Sequence, residues 1–192
     1  MELLVPLLIW LFAVTNVDTF VILVAFCADD GYRLPEVAVG HLLGFGVGLA
    51  IAIGAAILAA ELFAGWAFML GVIPIGLGLY ALAPGDGVAD TVEPPLAGRR
   101  SSRIATVAGA GIGVSGENVA AYVPVFAELT HEELALAVVL YVAGAVVVFV
   151  AAVVAVRHLL VVELPTWVES VLVPATLILV GTYVLVTGAF VL

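Results

Sequence analysis

Lysine is absent from the 192-residue chain, and its five basic residues are all arginine. So few cations cannot form a basic patch, which excludes a nucleic-acid surface. Cysteine occurs once, at Cys27. That excludes an internal disulfide, a Cys-x-x-Cys redox pair and the thiol-relay oxidoreductases built on one. Charge of either sign is scarce, at 10% of residues against 65% hydrophobic. A soluble domain of this length cannot hide that much apolar surface, so the class is integral membrane. The little charge present is acidic, with 15 carboxylates and a formal net charge of -10. All of these acids except Asp18 and Glu117 fall at predicted helix ends or in loops, where water solvates them.

The apolar runs predict an all-α membrane protein of six transmembrane helices. A bilayer core of roughly 30 Å needs about 20 helical residues. The predicted segments are Leu3 to Cys27, Glu36 to Ala60, Trp66 to Ala83, Ile104 to Ala127, Glu133 to Val156, and Val171 to Leu192. The first run lacks a basic n-region and exceeds the apolar core of a signal peptide in length, so a retained helix is expected. Thr130 and Glu133 have capping-box spacing ahead of segment five. Leu159 to Glu169 reads as interfacial, with Trp167 at headgroup depth. The stretch 84–103 is the one linker; it separates residues 1–83 from 104–192. Arg33, Arg99, Arg100, Arg103 and Arg157 all fall on one side of such a six-helix path. The positive-inside rule makes that side cytoplasmic and places both termini outside a multi-pass cell-membrane protein.

Two stretches break the apolar pattern. Thr15-Asn16-Val17-Asp18-Thr19 lies at the middle of segment one, and Ser115-Gly116-Glu117-Asn118 lies near the middle of segment four. A carboxylate at that depth costs about 3 kcal/mol by insertion scales. A structural polar lock between helices is the plainer reading of one such stretch. Two of them, each with an acid, favour a substrate or ion site. Sliding the chain by 100 residues also pairs Phe26 with Phe126, Gly44 with Gly144, Pro74 with Pro174, and the two polar stretches with each other. Each half then holds three helices, an odd number, so the halves insert in opposite orientation. Inverted repeats with a midplane site at their interface are a transporter architecture.

The residue types in these stretches suit a cation. Thr15, Asp18 and Thr19 share one face of a regular helix, and Ser115, Asn118 and Tyr122 share another. Asn16 and Glu117 lie off those faces, so gathering all the oxygens requires the backbone to unwind locally. Gly109, Gly111, Gly113 and Gly116 ease that in segment four, and Pro124 frees the carbonyl of Ala120. Two carboxylates (Asp18, Glu117), two amides (Asn16, Asn118) and hydroxyls (Thr15, Thr19, Ser115, Tyr122) would balance a divalent ion. Without the ion, two nearby acids share a proton, so metal arrival expels protons. This is the basis of cation/proton antiport. His41, one turn inside segment two, is either a helix-end contact or an accessory ligand. Gly40, Gly44 and Gly48 let another helix approach segment two closely. Pro74, Pro124 and Pro174 are expected helix kinks. Cys27 lies about 13 Å along a helix from Asp18, too far to join the same ion. His131 and His158 read as solvated, and Glu61, Tyr80 and Tyr141 as interfacial or packing residues.

Thr15-Asn-Val-Asp18, Gly40-His-Leu-Leu-Gly44, Leu70-Gly-Val-Ile-Pro-Ile-Gly-Leu-Gly78 and Ser115-Gly-Glu-Asn-Val-Ala-Ala-Tyr-Val-Pro-Val-Phe126 resemble the cadmium resistance transporter (CadD-like) family of the LysE superfamily. The resemblance implies export of cadmium, sometimes zinc, across the cell membrane. Three features depart from the family pattern: Glu117 replaces an Asp, His41-Leu42 replaces Gln-Tyr, and no Cys stands near the second polar stretch. An all-oxygen site suits hard ions better than cadmium; His41 is the nitrogen at hand.

The alternative is an exporter of amino acids or another small solute of the same superfamily. That substrate needs a larger cavity, and its carboxylate needs a midmembrane cation that is absent. Gly113-Val-Ser115-Gly116 also fits the nucleophile sequence of rhomboid intramembrane proteases. Such an enzyme needs a His in segment six as base, and segment six has none, so no catalytic activity is expected. No resident cofactor is expected, since the metal is cargo. The expected partners are the metal ion and the bilayer, and a homo-oligomer is compatible with the chain.

Overall fold

The computed structural model describes residues 3–63, 66–82, 100–158 and 171–189. All regular structure among them is helical. Segment one is two helices, α1 (Leu4–Thr15) and α2 (Val17–Ala28), bent by 50° at Asn16. The side chains at the break explain why α1 stops there. Thr15 Oγ1 donates to the Leu11 carbonyl at 2.8 Å, and Asn16 Nδ2 donates to the Phe12 carbonyl at 2.9 Å. Hydroxyls turned back onto the preceding turn bend helices. Segment four is likewise interrupted, at Val114, between α5 (Arg100–Gly113) and α6 (Ser115–Ala127). There Ser115 Oγ donates to the Ile112 carbonyl at 2.7 Å.

Segment two is the single helix α3 (Leu34–Leu62), with Pro35 in its first turn, where a missing N–H costs nothing. A 3-10 turn (Ala67–Gly71) leads into α4 (Val72–Leu82). Segment five is α7 (His131–Arg157), started by the expected capping box: Thr130 Oγ1 accepts from the Glu133 N–H, and Glu133 Oε2 accepts from the Thr130 N–H. Segment six is α8 (Val173–Ala189). Pro124 lies inside α6, as the kink expectation requires. Pro74 and Pro174 instead stand in the first turns of α4 and α8. Helical structure precedes both: Ala67–Leu82 runs through Pro74 with a change from 3-10 to α geometry at 71–72, and a π turn at 171–172 leads into α8 just before Pro174.

Two helices, Leu34–Leu62 and His131–Arg157, are long and apolar enough to cross a bilayer, and the bent pair Leu4–Thr15 and Val17–Ala28 makes a third if it counts as one span. Ala67–Leu82 and Val173–Thr187 are shorter apolar helices. The sequence expectation of six spans is thus met in full length at three places at most among the described residues. The linker residues 84–99 and the interfacial stretch with Trp167 lie outside the described residues.

The broken helices are held by partners distant in the chain. α3 lies along α5 and α6, α7 lies along α1 and α2, and α4 pairs with α8. Glycine sets the first contact. A Cβ on Gly40 would stand 2.6 Å from Val107 Cβ, and one on Gly44 would stand 2.7 Å from the Ala108 carbonyl oxygen. Gly144 of α7 meets the Phe12 ring of α1 in the same way. Leu8, Leu11, Leu49, Ala121, Tyr122, Phe126, Tyr141 and Val180 fill the main core. Arg103 Nη1 donates to Glu36 Oε2 at 3.2 Å and ties the start of α5 to the start of α3. Outward faces carry bare Leu, Ile and Val, such as Leu43, Ile51 and Leu58 on α3 and Val139, Val147 and Val150 on α7. Hydrocarbon, not water, suits those faces.

Replacing Gly44 by Val must push α3 from α5, at a cost of about 1–3 kcal/mol. Gly46, two residues on, has open space around its Cβ position, so Gly46→Val should leave stability unchanged. Thermal unfolding in detergent separates the two; equal losses would contradict the close α3–α5 contact.

A polar pocket between the broken helices

The breaks bring polar groups of α1 and α6 together. Thr15 spends its hydroxyl proton on the Leu11 carbonyl, so in its 2.8 Å contact with the Tyr122 hydroxyl it accepts and Tyr122 donates. The Tyr122 oxygen then accepts from Asn16 Nδ2 at 2.8 Å. With the bond to Phe12, both Nδ2 protons of Asn16 are used. Thr15, Asn16 and Tyr122 thus form an ordered chain of donors across two elements more than 100 residues apart in sequence. Asn16 is 3% exposed and Tyr122 2% exposed, so these bonds replace water that the interior does not offer.

Next to this chain lies a cavity of about 10 Å³, the space that one water molecule needs. Its polar lining is Thr19 of α2, His41 of α3, and Ser115, Asn118 and Tyr122 of α6; Phe45 and Leu49 of α3 add apolar walls. Gly48 of α3 faces Ser115 directly, with a Cβ position 3.0 Å from Ser115 Cβ. That close approach keeps the cavity small. One atom of its lining residues is unmatched. The Asn118 carbonyl oxygen Oδ1 is buried and has no hydrogen-bond partner. His41 is 2% exposed, and its Nε2 meets the Ala145 carbonyl of α7 at 3.1 Å.

The two acids are placed differently from the amides. Asn16 and Asn118 are buried, whereas Asp18 and Glu117 are exposed on the surface of the single chain. Neither acid lines the cavity. Each stands in the first turn of the helix that follows a break. The positive end of the helix dipole stabilises a carboxylate there by about 0.3–1 kcal/mol. Among the described residues, no three of His, Cys, Asp and Glu gather as a metal-holding cluster. The structure therefore brings Thr19, His41, Ser115, Asn118 and Tyr122 to one cavity and Thr15 and Asn16 to its edge. It leaves Asp18 and Glu117 outside it, one residue along the chain from Thr19 and Asn118.

Two features carry no clear sequence signal. Tyr141, expected as packing or interfacial, is fully buried; its ring packs on Tyr122, Phe12 and Phe126, and its hydroxyl has no partner. It also lines an apolar cleft of about 460 Å³ between α1, α2 and α7, where Asn16 is the other polar residue. The ion pair of Glu36 with Arg103 spans 67 residues, beyond any local pattern. His131 and His158 are exposed at the ends of α7, and Cys27 is half-buried away from the cavity. Tyr80 is exposed.

The donor chain predicts unequal effects of removing two buried hydroxyls. Tyr122→Phe strands Asn16 and Thr15 and should lower stability by about 1 kcal/mol. Tyr141→Phe removes a hydroxyl that has no partner and should be neutral or stabilising. Unfolding of the two variants in detergent checks this; equal destabilisation would contradict the donor chain.

No curated protein and no solved structure matches the chain. A family model described as cadmium resistance transporter matches residues 12–191. That range contains both breaks, the cavity and the eight described α-helices except the first turns of α1. The chain belongs to the cadmium resistance transporter family.

Proposed function

We propose that the chain exports divalent metal cations, cadmium and zinc foremost, across the cell membrane in exchange for protons. The observation that carries this is the Asn118 carbonyl, a buried acceptor with no donor, on a residue that lines a cavity between the broken helices. An unmet acceptor at that depth costs several kcal/mol unless a water or a cation meets it. The cavity's size favours an ion over an amino acid, whose pocket would need about 300 Å³ or more.

In this reading Asn118, Ser115 and Thr19 hold the cation. Asp18 and Glu117 stand beside them at the exposed starts of α2 and α6 and supply the counter-charge. Two carboxylates neutralise a divalent ion, and after its release they take up protons in its place. Asn16, Thr15 and Tyr122 hold the two breaks at a fixed separation. Residues 1–83 and 104–192 act as inverted three-helix repeats joined by the cytoplasmic linker 84–103, with both termini outside. Support for the repeat comes from the breaks at Asn16 and Val114, from the matching back-bonds of Thr15 and Ser115, and from Gly44 and Gly144. Each of those glycines receives the broken helix of the other half.

Everted membrane vesicles with an acidic lumen test this reading. The wild-type chain should accumulate cadmium or zinc with release of lumenal protons. Asp18→Asn and Glu117→Gln should each abolish uptake while leaving the protein folded and in the membrane. Retained uptake in both variants would overturn the carboxylate role; no uptake of any divalent ion by the wild type would overturn the reading as a whole.

A further inference from the structure

We propose that His41 is the residue that sets metal preference in the pocket, by presenting its Nδ1 lone pair to the cation beside Asn118 Oδ1. The inference rests on the pocket being the cation site, as proposed above, and adds which ion it prefers and why. The other ring nitrogen fixes the tautomer. Nε2 lies 3.1 Å from the Ala145 carbonyl oxygen, inside the helix packing. A carbonyl only accepts, so Nε2 carries the proton, and in the neutral ring Nδ1 must then be the bare nitrogen.

A histidine that binds metal through one nitrogen almost always donates the other N–H to a carbonyl or carboxylate. That bond fixes the tautomer and the ring orientation. His41 already has this arrangement, with its second nitrogen hydrogen-bonded to no described residue. The ring is 2% exposed and lies in the wall of the same cavity as the unmatched Asn118 oxygen. An imidazole anchored through Nε2 and an amide oxygen without a donor, on two residues that line one small cavity, suit a positively charged guest. The Phe45 ring, with its centroid 6.2 Å from that of His41, packs against it and limits its rotation.

Donor type decides the ion. Imidazole nitrogen suits zinc and other borderline d-block ions, whereas calcium and magnesium take oxygen almost exclusively. A site with one imidazole nitrogen among oxygens therefore ranks zinc and cadmium above magnesium and calcium. Manganese, the weakest binder of its series at nitrogen sites, falls between. Binding at Nδ1 also needs no deprotonation of the ring.

The test has two arms. His131 and His158, the other histidines, lie exposed at the ends of α7, so both are first replaced by Ala. In that background, purified protein loaded with zinc alone should show the multiple-scattering signature of an imidazole ligand in its X-ray absorption spectrum. His41→Gln, which keeps an amide N–H for the Ala145 carbonyl, should lose that signature. In vesicles, the same substitution should lower the ratio of zinc or cadmium uptake to manganese uptake by at least about tenfold. An oxygen-only zinc spectrum before His41 is changed, or an unchanged uptake ratio after it, overturns the proposal. Those outcomes differ from failure of the transport reading itself, in which the starting protein moves no divalent ion. If His41→Gln fails to fold, the spectrum of the His41-containing background decides alone.

Discussion

A polar group removed from water must find a partner, and the centre of this molecule is built around that requirement. Two helices break in the apolar interior, and each break exposes donors and acceptors that a continuous helix would have paired internally. Thr15, Asn16 and Tyr122 meet their own side-chain donors at the first break, with every proton assigned. The bonds run between α1 and α6, so the same groups that relieve the breaks also fix their separation. The glycines of α3 and α7 then allow each broken helix to be backed by a straight one. Among the described residues, what remains unanswered is the Asn118 carbonyl oxygen and the Tyr141 hydroxyl.

Charge is handled by position rather than by burial. Asp18 and Glu117 occupy the first turns of α2 and α6, where the helix dipole opposes part of the cost of a carboxylate among apolar surroundings. Their neighbours Thr19 and Asn118 turn into the cavity. A divalent ion inside would therefore be coordinated by neutral groups and balanced by anions close at hand. Under the proposed reading such an arrangement would let the ion leave, because no carboxylate cage would have to be dismantled to free it. Membership of the cadmium resistance transporter family fits a site that must both take up and release its metal.

Much of the fold was legible in the chain. The six apolar runs marked where the described helices lie, though two of the runs hold two helices each and three at most reach full spanning length, and Thr130 with Glu133 marked the start of α7. Gly40, Gly44 and Gly48 gave the face that α5 and α6 approach. The polar stretches at Thr15 and Ser115 marked both breaks. The direction of individual side chains was less legible, for a geometric reason. Face assignments assumed a continuous helix turning about 100° per residue. The break at Asn16 resets that phase, so Asn16 turns inward to Tyr122 while Asp18 turns outward and Thr19 inward. The pairing of Glu36 with Arg103 and the burial of Tyr141 depend on contacts across the fold that no local pattern encodes.

Where a metal ion sits decides the role of the pocket. Crystals grown with cadmium and measured for anomalous scattering test it most directly. A cadmium peak in the cavity between α3 and α6, within bonding distance of Asn118 Oδ1, is the predicted result. Peaks confined to loop carboxylates such as Asp29 and Asp30, with the cavity empty, would contradict it.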